Sequence, residues 1–173
     1  DPYSASKAAA ELAIESYRQT LFGYDQVSIP LVAARGGNII GGGDWSEDRL
    51  IPDYIRAWQG MSPLEIRLPE ATRPWQHVLE PISGYLTLGM ELQKNYNING
   101  EAFNFGPNSE NNSTVLELIT DLGVAWTESN EKKLYKVTPS KKFKESVLLK
   151  LNCDKSLQLL NWTTNLKHNE MIL

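Results

Sequence analysis

The chain has 173 residues, 41% hydrophobic and 22% charged, with a formal charge of −4. That is material for one globular domain or a large part of one, not for a disordered tail, and the acidic balance argues against a dedicated nucleic-acid binder. One cysteine, Cys153, excludes an intrachain disulfide and a cysteine-based zinc site; with no signal peptide or membrane-length apolar run read, a cytoplasmic protein with no membrane partner is expected.

Asp1-Pro2 reads as a helix start, with Asp as cap and Pro at the first helical position. The helix is predicted from Pro2 to Phe22, on the spacing of Ala5, Ala9, Leu12, Tyr17 and Leu21, with Gly23 as its stop. "VSIPLVAARGGNII" holds a short continuous apolar run that suits a buried parallel strand, which Pro30 weakens locally. "GGNIIGGGDW" is predicted as a loop whose glycines let backbone approach a ligand. "LIPDYIRAWQG" looks helical, "LEIR" alternates like an edge strand, "RPWQHV" reads as a short strand, and "PISGYLTLGMEL" as a helix. "EAFNFGP" is a strand ending in a turn, and "STVLELITDLGVAW" a helix capped near Ser113 or Thr114. "SVLLKLN" is predicted as a strand, "CDKSLQLLNW" as a short helix capped by Asp154, and "HNEMIL" as a helix barely begun. Lys132, Lys133, Lys141, Lys142 and Lys144 read as a solvated basic loop. The order is mixed α/β without internal repeats.

Tyr3 and Lys7 stand four apart, on one helical face. An ammonium beside a phenol favours phenolate, and such a tyrosine can exchange a proton with a substrate hydroxyl. On spacing alone an ordinary exposed Tyr and Lys is the favoured explanation of the pair, since this pattern is frequent by chance.

The surrounding sequence adds to this. "YSASKAAAEL" resembles the Tyr-x-x-x-Lys helix of the short-chain dehydrogenase/reductases, and "ARGGNIIGGGDW" lies where extended members carry an Arg-x-x-Asn sugar-nucleotide loop. With "EDRLIPDYIRA", "ATRPWQHVLEPISGYL" and "LLKLNCDKSLQLLNW" following in order, the chain is similar to the CDP-glucose 4,6-dehydratase family from Asp1 to about Asn169. The resemblance implies the later part of a Rossmann-type NAD-binding fold (about 1–40, with later elements returning to it) and a small α/β sugar-nucleotide-binding domain (about 41–173). It implies NAD as cofactor, CDP-glucose as substrate and a homodimer formed through the tyrosine helix, with Tyr17 near the interface. Tyr3 and Lys7 would then serve catalysis and hold the cofactor.

For substrate binding the resemblance implies Asn38, Arg49, Leu50, Arg67, Arg73 and Asn104. Arginine's planar fork suits a diphosphate, Asn38 would donate to that diphosphate, and Leu50 would line the base pocket. The arginines also read as surface ion pairs, Trp75 as core or base-stacking, Asn104 as ligand contact or turn cap, and His77 as structural. Two departures stand out: Lys144-Glu145-Ser146 where the family often has His-Glu-Ala, and Leu160-Asn161-Trp162 for Leu-Gly-Trp, where Asn tolerates the left-handed backbone that Gly adopts.

No glycine-rich dinucleotide fingerprint is present, since "GGGD" has the wrong spacing. With Asp as first residue, the chain is expected to be the later half of an enzyme. Two other readings stay open. One is an epimerase or dehydratase acting on a different nucleotide sugar. The other is a non-catalytic protein that binds a nucleotide sugar or a partner.

Overall fold

A computed structural model describes residues 1–22, 29–60, 62–108, 112–126, 135–138 and 147–172. Gly23, the five lysines of the basic stretch and the run Lys144-Glu145-Ser146 lie outside the described residues.

The chain opens with helix α1 (Pro2–Thr20), whose cap is Asp1: its carboxylate accepts from the Ser4 amide at 2.9 Å. Strand β1 (Ala33–Gly36) follows, and three residues predicted as loop form β2 (Asn38–Ile40). The glycines around "NII" suggested a loop, yet these residues find a partner. The Asn38 amide donates to Pro74 O at 2.9 Å, and β2 runs parallel to β5 (Trp75–His77). β1 instead runs parallel to β6 (Ala102–Phe105). The strand path therefore changes partner at Gly37, whose amide donates to Phe105 O at 3.0 Å. The predicted parallel pairing is present, but Ala34, Arg35 and Gly36 are exposed: β6 is the one strand that pairs with β1 among the described residues, which leaves its other edge open.

α2 (Leu50–Trp58) leads into β3 (Leu64–Ile66), where Leu64 and Ile66 point inward and Glu65 outward; β3 pairs in parallel with β8 (Tyr135–Val137). The predicted strand "RPWQHV" is two strands. Pro74 lacks the amide a ladder needs, so β4 (Thr72–Arg73) pairs antiparallel with β7 (Ser113–Thr114), while β5 goes to β2. α3 (Leu79–Lys94) begins two residues before Pro81, which the first turn tolerates. After a short 3₁₀ turn (Tyr96–Ile98) and β6, α4 (Val115–Trp126) starts on Thr114.

The last third corrects two further expectations. "SVLLKLN" forms no strand among the described residues; Leu148 makes one isolated bridge to Thr72. Asp154 does not cap α5 (Asp154–Leu160) but opens it, and the Asn152 side chain accepts from its amide at 2.9 Å. Asn161 closes α5 in the left-handed conformation, φ 51° and ψ 35°, as its substitution for glycine suggested. α6 (His168–Ile172) ends the described chain.

Two cores form. One gathers Tyr54, Ala57, Leu64, Ile66, Leu118, Ile119, Leu122 and Met171, between α2, β3, α4 and α6. The other gathers Leu88, Ile98, Phe103, Phe105, Leu160 and Trp162, between α3, β6 and α5. Phe103 and Phe105 face α3 and α5, while Ala33 and Ala102 face α1, so α1 and α3 lie on opposite sides of the β1–β6 pair. No helix among the described residues is long and apolar enough to cross a membrane.

Candidate functional site

Tyr3 and Lys7 sit on the first two turns of α1. The Lys7 Nζ lies 5.5 Å from the centre of the Tyr3 ring, and Tyr3 is 71% exposed. The helix places them side by side because residues four apart share a face. A phenol and an ammonium presented together to an open surface can hold and move a proton on a bound hydroxyl.

α1 itself buries none of its residues. It stands off the β1–β6 pair across a cleft of about 470 Å³, lined by Ala8, Glu11 and Leu12 from the helix and by Leu31, Ala33 and Ala102 opposite. Arg35 reaches from β1 to Glu11, its Nε and Nη2 donating to the two carboxylate oxygens. Those hydrogen bonds hold the Glu11 carboxyl below its ordinary value. At the other end of the helix, Arg18 donates to both oxygens of Glu15 and packs over Gly100.

The expected substrate residues fall into four places. Asn38 opens β2 directly opposite Trp75, one strand from Arg73, whose Nη1 donates to Thr72 O at 2.8 Å. Arg49 and Leu50 head α2. Arg49 is 64% exposed and 3.9 Å from Asp44 across the glycine loop, following Asp48 in its left-handed conformation (φ 59°), whereas Leu50 packs against the first core. Arg67 is exposed just beyond β3. Asn104 lies in β6 in register with Arg35; its Nδ2 donates to Asn152 O at 2.8 Å, and its Oδ1 is buried with no partner among the described residues. Trp75 packs against the first core with its indole Nε1 buried and without a partner among the described residues, and the His77 Nδ1 accepts from the Leu79 amide at 3.2 Å.

Three arrangements escaped the sequence reading. Gln76, 2% exposed, donates from Nε2 to Phe105 O at 2.8 Å, beside the point where the strand path changes partner. Glu80, 4% exposed, accepts from the amides of Asn165 and Leu166 through one oxygen and so fastens the segment leading to α6. His168 joins Ser113 at 3.0 Å to Asp121 at 2.8 Å, tying α6 to β7 and α4. All three are contacts between distant segments. Glu11 did leave a signal, as the next residue four positions beyond Tyr3 and Lys7.

No family model matches the chain. Among curated proteins, it is 38% identical over 94% of its length to CDP-glucose 4,6-dehydratase of Salmonella typhimurium, and it spans 45% of that protein. It is 30% identical over 75% of its length to dTDP-D-glucose 4,6-dehydratase of Bos taurus, covering 33% of it. The chain thus spans about half, or less, of the curated relatives it matches.

Among solved structures, dTDP-glucose 4,6-dehydratase from Bacillus anthracis in complex with NAD superposes with a TM-score of 0.70 at 22% identity, covering 99% of this chain and 50% of that one. UDP-glucuronic acid 4-epimerase from Bacillus cereus, in complex with UDP-glucuronic acid and NAD, gives 0.77 at 18% identity, over 99% and 50%. These likenesses show the fold: α/β, of the Rossmann type shared by epimerases and dehydratases, as the sequence implied.

Proposed function

The chain is a relative of the CDP-glucose 4,6-dehydratases with the fold of the NAD-dependent epimerase/dehydratase superfamily, and from that premise we propose that the full-length protein dehydrates CDP-glucose to CDP-4-keto-6-deoxyglucose. The observation that carries this reading is the 38% identity over 94% of the chain. Tyr3 takes the proton from the hydroxyl on the sugar's fourth carbon. Lys7 lies beside its ring on the same helical face, where it orients the cofactor. The new ketone acidifies the proton on the fifth carbon, and water leaves from the sixth.

The donors present fit a nicotinamide ribose: an exposed phenol and an ammonium on one open helical face can both hydrogen-bond a diol. Tyr3 and Lys7 would hold NAD there. Bound so, NAD supplies the hydride acceptor for the fourth carbon and the hydride donor for the sixth, and is regenerated in each cycle.

Asn38, Arg49, Arg67, Arg73 and Asn104 bind the nucleotide sugar in this reading, with the arginines at the diphosphate. Leu50 closes the base pocket while it buttresses α2. The core of Phe103 and Phe105 belongs to the cofactor-binding domain and the core around Tyr54 and Leu118 to the substrate domain. A homodimer through the part of α1 where Tyr17 and Leu21 are exposed, and a cytoplasmic setting, complete the proposal.

The test uses CDP-glucose deuterated at the fourth carbon. Dehydration delivers the label to the sixth carbon of a 4-keto product, read by NMR. Label found at the fourth carbon of an epimerised sugar would replace this reading with epimerase activity. Binding of the labelled sugar without any product would replace it with a non-catalytic role.

A further inference from the structure

Helix α1 runs for 19 residues and buries none of them. Among the described residues, a cleft of about 470 Å³ separates α1 from the β1–β6 pair. The contact that crosses beside it is directional. Arg35 on β1 meets the Glu11 carboxylate fork to fork, the geometry that adds orientation as well as attraction. Glu11 continues the stripe of Tyr3 and Lys7 by one further step of four residues. Arg35 lies three residues before Asn38, on the strand path that runs from β6 to β5.

We propose that Arg35 and Glu11 are positioning residues: their ion pair sets the rotation of α1 and so aims Tyr3 and Lys7 at the substrate. The proposal rests on the reading of Tyr3 and Lys7 as the proton-transfer pair. The pair's side chains are 46% and 41% exposed, and exposed ion pairs contribute little to stability. Its role is therefore geometric. A rotation of about 10° moves a group ~6 Å from the helix axis by ~1 Å, and a misplacement of that size can cost on the order of 10²-fold in rate.

The experiment compares E11Q, R35M, R35K and the charge-swapped E11R/R35E with wild type in the full-length protein. Both charge-removing variants should unfold near the wild-type temperature, yet lose about tenfold or more in kcat with KM changed by less than about threefold. R35K, which keeps the charge but not the fork, should fall between, and the swap should recover most of the loss. Hydrogen exchange of the α1 amides should quicken in E11Q and slow again in the swap. Wild-type kcat in E11Q and R35M, or a swap no better than the single variants, would overturn the proposal. If the wild type turns over no nucleotide sugar, the functional reading fails by itself. The exchange comparison still decides the positioning claim, and α1 amides that exchange alike in wild type and E11Q would refute it.

Discussion

Phe105 is fully buried, and its ring meets Tyr85 and Trp162 edge-on at 5.4 and 4.9 Å. A Cβ added at Gly84 would lie 2.2 Å from the ring's Cδ1. Gly84→Ala must shift that ring or the helix, and overpacking of this kind costs about 1–3 kcal/mol. Urea denaturation should show the loss; an unchanged midpoint would mean that the aromatic cluster gives way freely. In "PISGYL" this glycine looked like any helical glycine, because the ring it admits arrives from a strand twenty-one residues later. Tyr3 and Lys7 were legible for the opposite reason: both lie on one helix, where spacing alone makes them neighbours. Tyr3→Phe removes the proton carrier and little else, so kcat in the full-length protein should fall by about 10²–10⁴-fold with KM for CDP-glucose nearly unchanged. A Phe variant at wild-type rate would place the proton transfer elsewhere. Arg35 was visible in sequence as part of an Arg-x-x-Asn run, but its partner Glu11 is set by how a strand and a helix approach, which periodicity does not encode.

The start of α4 is a reciprocal cap: the Thr114 Oγ1 accepts from the Glu117 amide at 3.1 Å, and the Glu117 carboxylate accepts from the Thr114 amide at 2.7 Å. Thr114→Ala should cost about 1 kcal/mol, read by urea denaturation at neutral pH. The same contact gives a pH dependence. The Thr114 amide holds the Glu117 carboxyl below its usual 4.5. A carboxylate depressed on folding stabilises fully above its unfolded value, and that contribution fades as pH falls through the lower folded value. Stability of the wild type should therefore exceed that of Glu117→Gln above about pH 5 and converge with it in stronger acid. The difference is small, since Glu117 is exposed, and a gap that widened in acid would contradict the cap. Caps were legible where one residue and its own turn suffice, at Asp1 and Thr114. At α5 the cap position is Cys153, without a side-chain cap bond, and the Asn152 side chain accepts from the first helical amide, that of Asp154. β2 was hidden by its flanking glycines, and "SVLLKLN" had the composition of a strand but makes one isolated bridge among the described residues.

At the scale of the molecule, two cores meet where the strand path turns from β6 to β5 at Gly37, with Gln76 fastened across the junction. A Cβ at Gly37 would lie 2.6 Å from Pro74 O, so the crossing is tight. The ordered motifs made the fold class readable, since their sequence of helix, strand and loop is that of the extended dehydrogenase/reductases. The membership of the two cores was less so, because β6 pairs with β1, and α5 packs on β6, from far along the chain. The chain spans 45% of its CDP-glucose-dehydratase relative, and its sequence holds no glycine-rich turn for a dinucleotide. Expressed alone it should show no turnover; measurable dehydration by these residues alone would contradict the reading that dinucleotide binding needs a glycine-rich turn that this sequence does not hold. The central claim is the substrate, and kcat/KM of the full-length protein on CDP-, dTDP-, UDP- and GDP-glucose tests it most directly. The account predicts the highest value for CDP-glucose, with a 4-keto-6-deoxy product, whereas rejection of CDP-glucose with turnover of another nucleotide sugar would contradict it.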